Sequence, residues 1–242
     1  MSIPNDHGHF CLTFDADAGG AGAAEVLELL RQRGVRATIF ATGRFAERFP
    51  TLLAAATADG HEIGNHTYDH PHLTTWAETS RHVALPGVDR AFVLDQLERA
   101  AAAIAAACGR PPAPLWRAPY GEHNGAIRGW AAEAGYLHVE WTRGATDALD
   151  ALDWVDAAGS RRYLTPAGIA RRLLSFEQRT GVPLSGSIIL MHLGTGRASH
   201  PLLEALPVFL DETTRRGLRP VPIGELLAAR PGAGAAATAG AP

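Results

Sequence analysis

At 242 residues, with 46% apolar and 19% charged side chains, the chain can bury a substantial core and is neither fibrous nor disordered in composition. A formal net charge of −3 offers no cationic field for nucleic acid or an anionic membrane. No run of about 18 apolar residues exists to span a bilayer.

From the N-terminus, "MSIPNDHGHF" lacks the basic region and apolar core of a signal peptide. A cytoplasmic location is therefore expected, or an extracellular one if a leader precedes this sequence. "FCLTFD" reads as a strand and "AAEVLELLRQRG" as a helix, with Val26, Leu29 and Leu30 on one face and Gly34 as its stop. "VRATIFATG" is a second strand. "FAERFPTLLAAATADG" is a helix interrupted by Pro50, and "HEIGNH" is a third strand. After an aperiodic stretch over 71–88 comes the long helix "RAFVLDQLERAAAAIAAACG", closed by Gly109. "APLWRAPYG" and "YLHVEWT" are strands flanking the helix "GAIRGWAAEAG". Residues 143–163 are irregular. "TPAGIARRLLSFEQRTG" opens a helix with Thr165 as N-cap and Pro166 at the first helical position. "GSIILMHLG" is a buried strand, followed by the helix "PLLEALPVFLDETTRRG", the strand "LRPVPI" and the helix "GELLAAR".

Seven strand–helix alternations predict an α/β fold with a parallel sheet, most simply a (β/α) barrel, in one domain over residues 1–230. Residues 231–242, rich in Ala, Gly and Pro, are expected to be a flexible tail. Cys11 and Cys108 stand in no CxxC pair and read as reduced thiols.

Barrels of this kind place chemistry at the C-terminal ends of their strands. Here those ends carry Asp15 and Asp17, His66, Arg117 and His192. His70 follows His66 by four residues, a spacing that puts both imidazoles on one face if the chain turns helically there. A strand-end carboxylate would complete a His₂Asp metal site with open positions. Of the two carboxylates in "TFDADAGG", one could bind the metal and the other take a proton from water. The small residues that follow are expected to let a substrate approach closely. Taken singly, each feature has a plainer reading: carboxylates capping a helix, surface histidines, a structural Arg ion pair, a core histidine at 192.

Taken together, the motifs resemble the polysaccharide deacetylases of the NodB-homology type, carbohydrate esterase family 4. "TFDAD", "HTYDH", "RAPY", "DALDW" and "LMH" stand in that family's order across roughly residues 9–228. The resemblance implies a distorted barrel with about seven parallel strands. It also implies a hydrolase that removes acetyl groups from N-acetylated, or O-acetylated, sugars. Asp17, His66 and His70 resemble the family's metal ligands, for zinc first and cobalt or nickel as alternatives. Asp15 resembles the catalytic base, Arg117 its holder, and Tyr120 a backbone donor to the oxyanion. His192 resembles the general acid, tuned by Asp153, while Trp154 and Leu190 resemble the groove wall and acetyl pocket. Ala16 stands where the family usually has a second adjacent aspartate, so Asp15 and Asp17 both remain candidates for the metal. Asp147 and Asp150 compete with Asp153 for His192. The expected partner is an acetylated sugar or oligosaccharide. Two alternatives stand: a cytoplasmic amidohydrolase acting on a small cyclic amide, ureide or N-acyl metabolite, and an inactive carbohydrate-binding relative. His72, His123, Trp76, Trp116 and Trp141 are candidates for substrate contact, with loop or core positions as the default.

Overall fold

The computed structural model describes residue 3, residues 7–17 and residues 19–229, so the expected tail over 231–242 lies outside the described residues. Seven parallel strands form the sheet: β1 His9–Ala16, β2 Thr38–Ala41, β3 Glu62–Asn65, β4 Leu115–Trp116, β5 Leu137–His138, β6 Ile188–His192 and β7 Arg219–Pro220. They run in the order β5-β4-β3-β2-β1-β6, with β7 pairing to the start of β1. The outer edge of β6 is covered by irregular chain. Thr142 N–H donates to Ile188 O at 2.9 Å, Leu190 N–H donates to Leu149 O and Ala151 N–H to Leu190 O, both at 3.0 Å. A regular strand is missing there, and residues 142–151 take its place. This is why the barrel is distorted, and why "DALDALDW" is pinned against the strand that ends in His192.

Alternation along the strands sorts side chains into two layers. On β1, Phe10, Leu12, Phe14 and Ala16 join the main apolar cluster with side chains such as Val26 and Leu30 of α1 (Ala23–Gln32) and Leu206 and Phe209 of α9 (Leu202–Arg215). Cys11, Thr13 and Asp15 belong to the other face, toward Phe40 and Arg117. A methyl at Gly64 would come within 2.7 Å of the Phe40 ring, so this interior is already full.

The helices follow their sequence signals. Pro50 divides α2 (Gly43–Arg48) from α3 (Pro50–Ala58), because it has no N–H to continue the preceding ladder. The short α4 (Trp76–Thr79) lies inside the stretch that showed no period. Asp89 accepts from Phe92 N–H to cap α5 (Arg90–Cys108), which ends on left-handed Gly109. Asn124 caps α6 (Gly125–Glu133). Thr165 accepts from Gly168 N–H at the start of α7 (Pro166–Leu174), and the expected single helix breaks at Ser175 to leave a separate α8 (Phe176–Thr180). The chain ends its described part in α10 (Ile223–Ala228). Cys11 and Cys108 are both free. No helix among the described residues is long and apolar enough to cross a membrane.

Candidate active site

The spacing of the two aspartates follows from strand geometry. Residues two apart share a face, so Ala16 faces the helix layer while Asp15 and Asp17 both reach the cleft at the strand ends. Adjacent aspartates on a regular strand would have pointed to opposite layers. The same rule puts Leu190 and His192 of β6 together in the cleft, while Ile189 and Met191 join the core.

Asp15 is buried, and its two oxygens have different neighbours. Oδ1 accepts from Arg117 Nη1 at 2.8 Å, and Oδ2 stands 3.5 Å from His66 Nε2. Burial alone would raise this carboxyl. The Arg117 guanidinium, with the protonated His192 behind it, outweighs burial and holds Asp15 below the ordinary carboxylate value. Arg117 is itself fully buried, stacks on Phe40 at 4.3 Å and donates from Nε to Val139 O at 3.2 Å.

His66 is fixed by its other nitrogen. Nδ1 lies 2.9 Å from Arg117 O, a contact only an N–H can satisfy, so Nε2 carries the lone pair. That Nε2 is buried and has no hydrogen-bond partner. Burial lowers the pKa of His66, and burial together with His66 pushes His70 down to about 3, so both rings are neutral. Neutral imidazole and carboxylate are the forms a divalent cation requires, and the orphaned Nε2 of His66 suits that use. As the side chains stand, no three His, Cys, Asp or Glu among the described residues are gathered tightly enough to hold an ion. The donor types fit a metal; the set closes only with side-chain adjustment.

The route from His66 to His70 corrects one expectation, because the turn is not helical. Thr67 (φ 68°) and His70 (φ 58°) are left-handed, a costly conformation for a β-branched threonine. Asn65 Oδ1 accepts Thr67 N–H at 2.9 Å, and Gln96 Oε1 from α5 accepts Tyr68 and Asp69 N–H at 3.0 and 3.2 Å. These bonds hold the turn and bring the two imidazoles to a centroid distance of 4.8 Å.

Tyr120 sits at φ 58° in a 3₁₀ turn, Pro119–Gly121. That turn's bonds run from Gly121 N–H to Ala118 O and from Glu122 N–H to Pro119 O, leaving the Tyr120 N–H outside them. Left-handed backbone at His70 and Tyr120 lines one cleft, a placement expected where strain serves function.

Among the three competing aspartates the structure separates the roles. Asp153 Oδ1 lies 3.0 Å from His192 Nδ1, and Oδ2 accepts the His192 N–H at 2.8 Å. Asp147 is taken by Arg172 and Arg179. Asp150 accepts Leu152 N–H at 2.7 Å and faces Trp154 Nε1 at 3.5 Å. Burial works against a charged His192, but Asp153, Asp15 and Asp150 outweigh it and push its pKa up to about 9.

The cleft, about 500 Å³, brings together Asp15, Asp17, His70, Tyr120, Leu190 and His192, with Trp154 on the wall. Side chains without motif support line it too, among them His72, Trp76, Trp141 and Glu122. Glu122 is buried and holds His72 Nδ1 at 2.8 Å, and His72 stacks on Tyr120 at 4.0 Å. A lone glutamate in the turn after "RAPY" was the available signal. Trp116 is instead a buried core residue, and His123 packs outside the cleft against His138 and Glu140. The glycines after Asp17 differ in what surrounds them. A Cβ at Gly20 would lie 2.7 Å from Phe49 and one at Gly22 2.7 Å from His200, so loops pack on both, whereas one at Gly19 would meet nothing within 4 Å.

Residues 3–139 match the family model for polysaccharide deacetylase. A peptidoglycan-N-acetylglucosamine deacetylase of Bacillus cereus is 30% identical over 228 residues, covering 93% of this chain and 91% of that one. A chitooligosaccharide deacetylase of Azorhizobium caulinodans is 31% identical over 152 residues, 63% of this chain and 64% of the relative. A solved peptidoglycan N-acetylglucosamine deacetylase, in complex with 4-naphthalen-1-yl-N-oxidanyl-benzamide, superposes with a TM-score of 0.75 at 27% identity, covering 93% of this chain and 91% of that one. With the barrel, the five ordered motifs and these likenesses in agreement, the chain belongs to the polysaccharide deacetylase family.

Proposed function

We propose that residues 1–230 form one catalytic domain that hydrolyses the acetamide of N-acetylated sugars, with glucosamine-type oligomers as the first substrate class. The observation that carries this reading is the single cleft in which the Arg117-held Asp15 faces the Asp153-held His192. Asp17, His66 and His70 are the residues that would hold a divalent cation, zinc before cobalt or nickel. When bound, such an ion lowers the pKa of water and polarises an acyl carbonyl.

The chain's own residues supply the rest. Asp15, kept ionised by Arg117, accepts a proton from the attacking water. The Tyr120 N–H offers a donor for the oxygen that becomes negative as the carbonyl carbon turns tetrahedral. His192 enters protonated and gives its proton to the departing amine nitrogen, so the C–N bond breaks to a free amine and acetate. Leu190 packs beside the methyl group, and Trp154 gives a sugar ring an apolar face. Asp15 bonds to Arg117 and Asp17 does not, which supports Asp15 as base and Asp17 as metal ligand.

The test is acetate release from tetra-N-acetylchitotetraose together with metal analysis of the purified protein. Activity should disappear with chelator, return with zinc, and be lost in Asp17→Ala and His66→Ala. Full activity in both variants would remove the metal assignment. Turnover of a cyclic imide with none of any acetylated sugar would favour the small-amide alternative.

A further inference from the structure

Beside the cleft lies a second groove of about 640 Å³, and the two share Arg143, Ala148, Asp150 and Arg162 in their walls. The groove adds Asp147, Arg161 and Arg172 to its lining. These charges are not all available. Arg172 is engaged by Asp147 and by the carbonyls of Ala148 and Asp150. Arg143 pairs with Glu140 at 3.2 Å and lies over Trp141. Arg161 and Arg162 are exposed and pair with no carboxylate among the described residues. The Arg162 guanidinium lies 4.8 Å from the Trp154 ring, which places its charge at the cleft wall against an aromatic face. Asp150 adds little opposing charge, since burial pushes its carboxyl up and its oxygens face Leu152 N–H and Trp154 Nε1.

We propose that this groove is a subsite for a carboxylate on the sugar chain, next to the residue whose acetamide is cleaved. The proposal rests on the deacetylase reading above and narrows its substrate class to acidic glycans. Guanidinium groups match a carboxylate in shape and charge, and the stacked Arg162 is already oriented. Asp147, although paired with Arg172 and Arg179, leaves a carboxylate in the same lining, which disfavours a doubly charged phosphate more than a monoanion.

The experiment compares two tetrasaccharides of alternating N-acetylglucosamine and N-acetylmuramic acid, one with free lactyl carboxylates and one with those groups converted to methylamides. Acetate release gives kcat/KM, and calorimetry gives Kd, for both glycans at low and high salt. At low salt the acid form is expected to be favoured about three- to ten-fold in both quantities, the scale of one or two exposed ion pairs. Added salt should erase the preference by screening. The double variant Arg161→Gln/Arg162→Gln should bring the ratio near one, while Arg110→Gln, outside both cavities, should keep it. Equal handling of the two glycans by the native protein, or a preference that survives the double variant, overturns the subsite. Acetate from both glycans at equal rates sinks the subsite and leaves the deacetylase reading standing. Acid-selective binding without acetate from either upholds the subsite and sinks the deacetylase reading.

Discussion

His192–Asp153 and His72–Glu122 are both imidazole–carboxylate pairs lining one cleft, yet their carboxylates are used differently. Asp153 gives one oxygen to the imidazole and the other to the same residue's backbone N–H, so both of its hydrogen bonds go to His192. Glu122 gives one oxygen to His72 and the other to two backbone N–H groups, Leu73 and Thr74, each at 2.9 Å. His72 in turn lies flat on Tyr120, with an interplanar angle of 7°. In the proposed mechanism the first pair would hold the proton that the leaving amine takes. The second ties the loop after His70 to the turn that carries Tyr120. The same two chemical partners are thus proposed to serve proton transfer on one side and positioning on the other, according to what else the carboxylate binds.

The contrast can be broken from the proton side first. His192→Asn should lower kcat by about 10²- to 10⁴-fold, the usual contribution of a positioned acid, with a much smaller change in KM. Steady-state kinetics on tetra-N-acetylchitotetraose check this, and a variant within three-fold of native activity would remove His192 from the reaction. Arg117→Ala should be nearly as damaging, and in stability too. It leaves the buried Asp15 charge unpaired, at a cost of about 3–5 kcal/mol, readable as a shift of the urea midpoint.

The clamp side should give smaller effects of a different kind. Glu122→Ala strands two buried N–H groups, a loss of about 1–3 kcal/mol each, or a fall in Tm of several degrees for a chain of this size. Glu122→Gln, which keeps an acceptor oxygen, should recover much of that stability. If Glu122→Ala melts like the native protein but loses its alkaline activity limb, the division of labour argued here is reversed. His72→Ala should have the smallest effect, a rise in KM of a few-fold from loss of the stacked face, with kcat nearly kept.

Much of this was readable in the sequence, and the exceptions share a cause. Helix limits at Thr165 and Gly109 are local chemistry and stand where the residues indicate. Seven strands were legible because they alternate with amphipathic helices, and β1, β2 and β6 are plain apolar runs. Three of them shrink to two-residue ladders, because pairing depends on neighbours the sequence does not display. "TDALDALDW" offers three near-equivalent aspartates, and only the packing of residues 142–151 on β6 assigns one to His192. The His66–His70 turn looked helical by spacing, whereas Asn65 and Gln96 hold it in a left-handed path. The His72–Glu122 pair joins residues 50 apart in sequence, so the packing of their two loops brings them together.

The most direct test of the acid–base assignment is the pH profile of kcat/KM on tetra-N-acetylchitotetraose for the native enzyme and for Asp153→Asn. In the proposed mechanism the active form has His192 protonated, so activity should hold below its pKa and be lost as pH rises through about 9. Asp15, held below the ordinary carboxylate value, sets the acid limb under that range. In Asp153→Asn the alkaline limb should fall toward the ordinary histidine value of 6.5, with the acid limb in place. An alkaline limb that stays where it was in the variant would contradict the account.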